Sequence, residues 1–129
     1  MKCVGIVLVS HSVELAEGLK KLLQQVQPHV PIAAAGGDND GEIGTSAEKI
    51  AAAIESVRSE KGVAVFFDLG SALINAEMAI EGLGNPGNVL IADAPLVEGA
   101  YVAVVKAGCG ESLDAVLQAA RNAKNMVKR

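Results

Sequence analysis

The chain has 129 residues, half of them hydrophobic, which suits one domain with a substantial core. Its formal net charge of −4 argues against broad nucleic-acid binding, and an aromatic content of 2% leaves few rings to stack a flavin or a row of bases. We expect a single domain over residues 1–129 in the cytoplasm, without a membrane-spanning helix, a metal or a cofactor.

Strand and helix patterns alternate along the chain. Apolar runs predict strands over residues 2–9, 32–35, 62–67 and 88–92. Amphipathic or apolar helical patterns predict helices over about 12–25, 45–60, 71–82, 95–107 and 112–126. The second helix is expected to begin with a capping box formed by Thr45 and Glu48. This alternation predicts an α/β fold, an open and mostly parallel sheet with helices on both faces, in the flavodoxin-like order 2-1-3-4.

The first strand-to-helix junction carries the residues Ser10, His11 and Ser12. The continuous apolar run before them is typical of a strand that is buried on both faces of a parallel sheet, and Ser12 is a good N-cap. His11 is then expected at the carboxyl end of a central strand, where open α/β sheets bind ligands. A loop histidine is more often an ordinary surface or packing residue, and the two serines could be turn and cap residues only.

The second junction is a glycine-rich loop that begins with Gly36 and Gly37 and reaches Thr45. We expect this loop to fold over His11 and to offer backbone amides to an anion. Its acidic residues allow a calcium interpretation, but they lack the EF-hand spacing and its terminal ligand, so a solvated loop is the favoured interpretation. These acidic residues are Asp38, Asp40 and Glu42.

The third junction reads Asp68-Leu69-Gly70-Ser71. In the flavodoxin-like order, strands one and three are neighbours, so Asp68 is expected to accept a hydrogen bond from the ring of His11 and to orient it. The other ring nitrogen would then act as a nucleophile toward a phosphoryl group. Gly70 and Ser71, at the start of the third helix, are candidate phosphate donors together with the residues of the first two junctions. Asp68 could instead be a simple N-cap.

Two helices are more apolar than a monomer needs. The third has apolar side chains on two sides, and the fourth has almost no polar face over residues 96–105. A helix that is apolar all round must be buried on several sides, so we predict a homodimer through this region. The alternative is that the final helix covers the fourth.

The three junctions together resemble the DhaM family, the phosphoryl-donor subunits of phosphoenolpyruvate-dependent dihydroxyacetone kinases, which are related to the mannose-type IIA domains of the bacterial sugar phosphotransferase system. The resemblance implies that His11 accepts a phosphoryl group from the histidine-containing phosphocarrier protein HPr. His11 would pass the group to ADP on the subunit DhaL, and the ATP so regenerated would phosphorylate dihydroxyacetone on DhaK. It also implies that Asp68 pairs with the histidine and that the domain is a homodimer.

The sequence departs from the mannose-type pattern at two places. Serines replace the glycines around His11, and Leu69-Gly70-Ser71-Ala72 replaces Gly-Gly-Ser-Pro after the aspartate. Both differences favour the dihydroxyacetone branch, and we expect this chain to be its single-domain form. Two alternatives stay open, a mannose-type IIA component that serves a sugar permease and a non-catalytic regulatory domain on a flavodoxin-like fold.

Overall fold

The computed structural model describes residues 2–129, in which strands and helices alternate as predicted. In that range no helix is both long enough and apolar enough to cross a membrane. The strands are β1 (Gly5–Ser10), β2 (Ile32–Gly36), β3 (Val63–Phe67) and β4 (Val89–Ile91). The α-helices are α1 (Val13–Val26), α2 (Ala47–Val57), α3 (Ala72–Gly82), α4 (Leu96–Gly108) and α5 (Leu113–Asn122).

The four strands form one parallel sheet in the order β2-β1-β3-β4, which confirms the predicted fold class. β1 is central, with Ile6 opposite Ile32 of β2 on one side and Ala64 of β3 on the other. Because the strands are parallel, the carboxyl ends of β1 and β3 meet at the middle of the same sheet edge.

The side chains of β1 alternate between two cores, and this explains why its sequence is apolar throughout. Ile6 and Leu8 pack in the core that is covered by α1, α4 and α5. Val7 and Val9 pack in the core that is covered by α2 and α3. All four side chains are fully buried, so the strand that leads to His11 is held on both faces.

Several predicted helix limits need correction. Ser46 is the N-cap of α2, since its hydroxyl accepts a hydrogen bond from the N–H of Lys49. The predicted capping box at Thr45 is therefore wrong. α2 ends at Val57 rather than near residue 60, and the last α-helix ends at Asn122 rather than at 126. Thr45 and Ser46 are adjacent hydroxyl residues, and by sequence alone either could cap the helix. Tertiary contacts decide which of them does.

The apolar helix α4 is covered largely by its own chain. It packs against both the sheet and α5, and four of its side chains are completely buried: Ala100, Ala103, Val104 and Ala107. The alternative interpretation of its sequence, in which the final helix covers it, therefore holds for most of its surface. Val97 and Tyr101 stay about half exposed, as do Ile74 and Met78 on α3. The homodimer stays a prediction.

Candidate functional site

His11 follows β1, and Asp68 follows β3, at adjacent positions along the sheet edge. Nδ1 of His11 lies 2.9 Å from Oδ1 of Asp68, and their side chains are 21% and 13% exposed. An ionised carboxylate can only accept hydrogen bonds, so Nδ1 carries the proton in this pair. In the neutral ring, the lone pair is then on Nε2, which is the nitrogen that can act as a nucleophile.

Asp68 is held by four hydrogen bonds, all of which it accepts. Oδ2 receives the backbone N–H of His11 and the hydroxyl of Ser10, each at 2.9 Å. Oδ1 receives the ring N–H and the backbone N–H of Leu69, the latter at 2.7 Å. Burial alone raises the pKa of this carboxyl, but the hydrogen bonds outweigh burial and hold the pKa below its ordinary value of 3.8. Asp68 is therefore a fixed anion at neutral pH.

The geometry does not support Asp68 as a simple N-cap of α3. The first N–H groups of that helix bond to backbone carbonyls, Ala72 to Leu69 at 2.9 Å and Leu73 to Gly70 at 3.0 Å. The carboxylate of Asp68 faces the ring of His11 instead of the helix end.

Ser71 lies on the opposite side of the imidazole. Its Oγ is 2.8 Å from Nε2 of His11, and its hydroxyl is in position to donate to the lone pair of that nitrogen. The backbone N–H groups of Gly70 and Ser71 meet no acceptor among residues 2–129. These groups form a small set of free donors at the N-terminus of α3, on the side of the ring where Nε2 lies.

The two serines that flank His11 have different environments. Ser10 is fully buried, and its hydroxyl donates to Asp68 and accepts the N–H of Ser12 at 3.1 Å. This placement makes Ser10 a support for the carboxylate and differs from the predicted phosphate contact. Ser12 is partly exposed and caps α1 by accepting the N–H of Leu15 at 3.2 Å. Its hydroxyl proton is still available to a ligand.

The predicted phosphate loop after β2 contacts the backbone of His11 rather than its ring. Gly44 donates its N–H to the carbonyl of His11 at 3.0 Å, and Gly37 donates to the carbonyl of Ser10 at 3.1 Å. A Cβ on Gly36 would lie 2.6 Å from the carbonyl oxygen of Ser12, so glycine is needed for β2 to end against the start of α1. Packing explains Gly36 and Gly37 in this structure, and their contact with a phosphate stays a prediction.

The same loop is closed by its own polar side chains. Oδ1 of Asp38 accepts the N–H groups of Asp40 and Glu42, each at 2.9 Å. At the other end of the loop, Thr45 accepts a hydrogen bond from Asn75 of α3 at 2.7 Å. The acidic side chain of Asp38 thus organises a turn, and Thr45 ties the loop to α3.

The sequence analysis missed two residues of this site and the role of a third. Gly44 holds the loop to His11, Asn75 holds the loop to α3, and the hydroxyl of Ser10 fixes Asp68. Asn75 gave one signal, since it is the one uncharged polar residue in α3. Nothing in the sequence indicated a partner for Gly44, because its hydrogen bond is a backbone contact across the fold.

Comparisons with known proteins identify the family and the relatives of this chain. The model of the EIIA-man family, described as the fructose IIA component of the phosphotransferase system (PTS), matches residues 5–117. The phosphotransferase subunit DhaM of a PTS-dependent dihydroxyacetone kinase from Lactococcus lactis is 41% identical over 112 residues, which cover 87% of this chain and 89% of the relative. The phosphoryl donor subunit DhaM from Escherichia coli is 42% identical over 120 residues, which cover 88% of this chain and 25% of that longer relative.

Solved structures have the same fold. The crystal structure of a protein of unknown function superposes with a TM-score of 0.84 at 34% identity, covering 95% of both chains. A phosphotransferase system component EIIA from Streptococcus agalactiae superposes with a TM-score of 0.68 at 15% identity, covering 97% of this chain and 96% of the other. At that identity, the second likeness concerns the fold alone.

Proposed function

The chain belongs to the EIIA-man family and, within it, to the DhaM phosphoryl-donor subunits of dihydroxyacetone kinases, and on that premise we propose that it is a phosphohistidine carrier. In this proposal, His11 accepts a phosphoryl group from an HPr-type phosphocarrier and passes it to ADP on a DhaL subunit, which works with DhaK. The observation that carries the proposal is the pairing of Asp68 with Nδ1, because it keeps the proton on that nitrogen and leaves Nε2 with the lone pair that a nucleophile needs.

The transfer step balances without a cofactor. Nε2 attacks the phosphorus of the donor phosphohistidine, the new N–P bond forms, and the N–P bond of the donor breaks, with the donor imidazole as the leaving group. In the second half-reaction, a β-phosphate oxygen of ADP attacks the phosphorus, and the bond to Nε2 breaks. The protein contributes position and electrostatics, which is typical of phosphoryl transfer.

Asp68 acts in this proposal as a positioning residue. It fixes the tautomer and the orientation of the ring, and it stabilises the positive charge that the imidazole acquires when its second nitrogen is phosphorylated. The carboxylate and the phosphoryl group lie on opposite ends of the ring, so the two anions are kept apart.

The phosphoryl oxygens would meet donors on the α3 side of the ring. The free N–H groups of Gly70 and Ser71, together with the Ser71 hydroxyl, are the best placed of the predicted phosphate ligands. Ser12 adds a hydroxyl and the N-terminus of α1. In the unphosphorylated chain, the Ser71 hydroxyl is placed to donate a hydrogen bond to the lone pair of Nε2. After transfer, the same hydroxyl would donate to a phosphoryl oxygen.

Replacing Ser71 by alanine is expected to slow phosphorylation of His11 by about 10²- to 10³-fold, the effect of removing one preorganised donor from a developing anion. Ser71 is exposed and makes no capping bond, so the free energy of unfolding should change by less than about 0.5 kcal/mol. Rates are measured by quenched-flow mass spectrometry with phosphorylated HPr. Ser71→Thr keeps the hydroxyl and should restore most of the rate; equal rates in the alanine variant and the wild type would remove Ser71 from the mechanism.

The experiment that tests the function supplies phosphoenolpyruvate, the general phosphotransferase proteins and a DhaK–DhaL pair, and measures dihydroxyacetone phosphate. We expect product that depends on this chain. The family model's description as a PTS IIA component favours one alternative, a IIA component that feeds the IIB protein of a sugar permease. Transfer to a IIB protein without transfer to DhaL-bound ADP would select that alternative.

The proposal includes a cytoplasmic location and a homodimer across the edge strand β4. Exposed apolar side chains lie on β4 and on the helices that precede and follow it in the chain, α3 and α4: Met78, Leu90, Val97 and Tyr101. The backbone edge of β4 is also open to pairing among the described residues. These features support a self-complementary interface, in which the same surface of each copy faces the other.

We expect the wild type to have the mass of a dimer in light scattering at micromolar concentration. The double variant Met78→Glu with Tyr101→Glu should be monomeric, with a dissociation constant raised at least about 100-fold by two buried charges. The control variant is Leu22→Glu, because Leu22 lies on α1 and is as exposed as Met78. This variant should stay dimeric. A monomeric wild type would exclude the dimer.

A further inference from the structure

The hydroxyl of Ser71 completes a series of three side chains across the imidazole. Its Oγ lies 2.8 Å from Nε2 of His11, and Nδ1 of the same ring lies 2.9 Å from Oδ1 of Asp68. A serine, a histidine and a carboxylate are thus joined by two hydrogen bonds, with the imidazole in the middle. The same series of groups makes a serine hydroxyl nucleophilic in hydrolases of unrelated folds.

The direction of the two hydrogen bonds suits that chemistry. Asp68 is an anion that can only accept from Nδ1, so the lone pair of the neutral ring lies on Nε2. The hydroxyl of Ser71 is then the donor, and Nε2 is placed to take its proton as a general base. The carboxylate of Asp68 stabilises the imidazolium that this proton transfer creates.

The start of α3 does not need the side chain of Ser71. The first N–H groups of the helix bond to backbone carbonyls, Ala72 to Leu69 and Leu73 to Gly70, and the hydroxyl of Ser71 makes no capping bond. The residue is exposed, so a small molecule can reach its Oγ. Its hydroxyl therefore has no structural task in the described chain that would compete with a chemical one.

The other serines of the sequence lack such a base. Their hydroxyls bond to carboxylate, amide or backbone groups, and within residues 2–129 none of them has a hydrogen bond with a histidine ring: Ser10, Ser12, Ser46, Ser56, Ser59 and Ser112. Reactivity at a serine is therefore expected at Ser71 and at no other serine in that range.

The backbone beside Ser71 offers donors for a developing negative charge. The N–H groups of Gly70 and Ser71 meet no acceptor in the described chain. The carbonyl oxygen of an ester becomes an oxyanion when a hydroxyl adds to the carbonyl carbon, and N–H groups beside the nucleophile stabilise it. The segments around the site, residues 10–19, 36–48 and 67–79, contain no Lys or Arg, which favours a substrate that is uncharged before the reaction.

We propose that Ser71 is a base-activated nucleophile in the unphosphorylated chain, and that the site hydrolyses small, uncharged carboxylic esters with a good leaving group. Oγ bonds to the carbonyl carbon while its proton moves to Nε2, and the bond to the leaving oxygen breaks as that oxygen takes the proton. Water then adds to the acyl-serine and gives its proton to Nε2. The carboxylic acid leaves, and Oγ takes the proton back.

This activity goes beyond the carrier function and needs no phosphoryl donor. The lone pair of Nε2 is the base in ester hydrolysis and the nucleophile in the carrier reaction, so His11 can serve only one of the two reactions at a time. A chain that is phosphorylated on His11 therefore cannot activate Ser71.

The test uses two uncharged probes on the unphosphorylated chain. The first is p-nitrophenyl acetate, whose hydrolysis is followed by the absorbance of p-nitrophenol above the spontaneous rate. The second is diisopropyl fluorophosphate, in which Oγ bonds to phosphorus and the P–F bond breaks, so that peptide mass spectrometry locates a stable label. The variants are Ser71→Ala and Asp68→Asn, and the matched control is Ser56→Ala, since Ser56 is an exposed serine of α2 that donates to the carbonyl of Ala53.

We expect the wild type and Ser56→Ala to hydrolyse the ester at equal rates and to carry the fluorophosphate label on Ser71 alone. The ester rate should fall at least about 10²-fold in Ser71→Ala and in Asp68→Asn, which is the usual contribution of a general base and its nucleophile. Thermal unfolding checks that each variant is folded.

No hydrolysis by the wild type above the spontaneous rate would overturn the proposal, and so would a label on another serine. A wild-type ester rate in Ser71→Ala would also overturn it, because the imidazole would then be the nucleophile itself. Labelling of Ser71 in a chain that HPr does not phosphorylate would support this proposal and would count against the carrier function alone.

Discussion

Replacing His11 by alanine is expected to abolish phosphorylation of the chain, a loss of more than about 10³-fold, because the nucleophile itself is removed. No other group at this edge can substitute for it. Ser71 has the closest hydroxyl, but the substitution removes the imidazole that this hydroxyl contacts and that could act as its base. The measurement is intact mass after incubation with phosphoenolpyruvate and the general phosphotransferase proteins, followed by formation of dihydroxyacetone phosphate with DhaK and DhaL.

His29→Ala is the matched control, because His29 is the second of the two histidines in the sequence. His29 is exposed, and its Nε2 lies 3.3 Å from the carbonyl of Gly108. We expect full labelling and full product in this control. A phosphorylated His11→Ala variant, or a label that is lost with His29, would place the chemistry elsewhere.

Replacing Asp68 by asparagine is expected to slow phosphorylation by about 10²- to 10⁴-fold, as when the orienting carboxylate of a histidine is lost. The asparagine has one acceptor oxygen, whereas Asp68 accepts bonds at both oxygens. Its amide group would point N–H donors toward either the ring or the backbone of His11. A donor at the ring would favour the tautomer with the proton on Nε2, which has no lone pair for attack.

The rate is measured with phosphorylated HPr, and the fold is checked by thermal unfolding. Asp93→Asn is the control, since Asp93 follows β4 at the same edge of the sheet and is exposed. It should have the wild-type rate. A wild-type rate in Asp68→Asn would show that the carboxylate has no role in the transfer, even though it contacts the ring of His11.

We also expect the effect of Asp68→Asn on the free energy of unfolding to depend on pH. Because the pKa of Asp68 is lowered in the folded chain, its ionised form stabilises the fold above its ordinary value of 3.8. That contribution is lost as the pH falls through the lower folded pKa. We expect the difference in the free energy of unfolding between wild type and Asp68→Asn to be largest near pH 7 and to shrink below about pH 4. A constant difference would contradict the assignment.

Much of the architecture follows from local patterns in the sequence. The apolar run before His11 is typical of a strand that is buried on both faces, and the repeated alternation with helices predicts a parallel sheet, for which the flavodoxin-like strand order is found. That order puts the ends of β1 and β3 side by side, so the neighbourhood of His11 and Asp68 could be expected from topology alone.

The detailed contacts of the site could not be predicted, because they depend on the ends of elements and on distant partners. β1 continues through Ser10, so this residue is buried and bonds to Asp68 rather than facing a ligand. Thr45 and Ser46 are adjacent hydroxyl residues, and the hydrogen bond from Asn75 to Thr45 leaves Ser46 as the cap. No local pattern contains that information.

Helical periodicity alone does not show which residues of an apolar stripe are covered. Leu15 has the helical spacing of Leu19 and Leu23, which are buried, yet Leu15 is 45% exposed. It belongs to the first turn of α1, beside the edge of the sheet where little of the chain can cover it. The stripe therefore continues past the core and leaves an apolar side chain exposed there.

The position of the phosphoryl group on the imidazole tests the central claim most directly. Phosphorus NMR of the wild-type chain, phosphorylated through HPr, distinguishes the Nε2 isomer from the Nδ1 isomer of phosphohistidine. Since Asp68 holds the proton on Nδ1, we predict a single resonance of the Nε2 isomer that is absent from the His11→Ala variant. A resonance of the Nδ1 isomer would contradict the account, because the bond between Asp68 and the ring would then have to break for the reaction to occur.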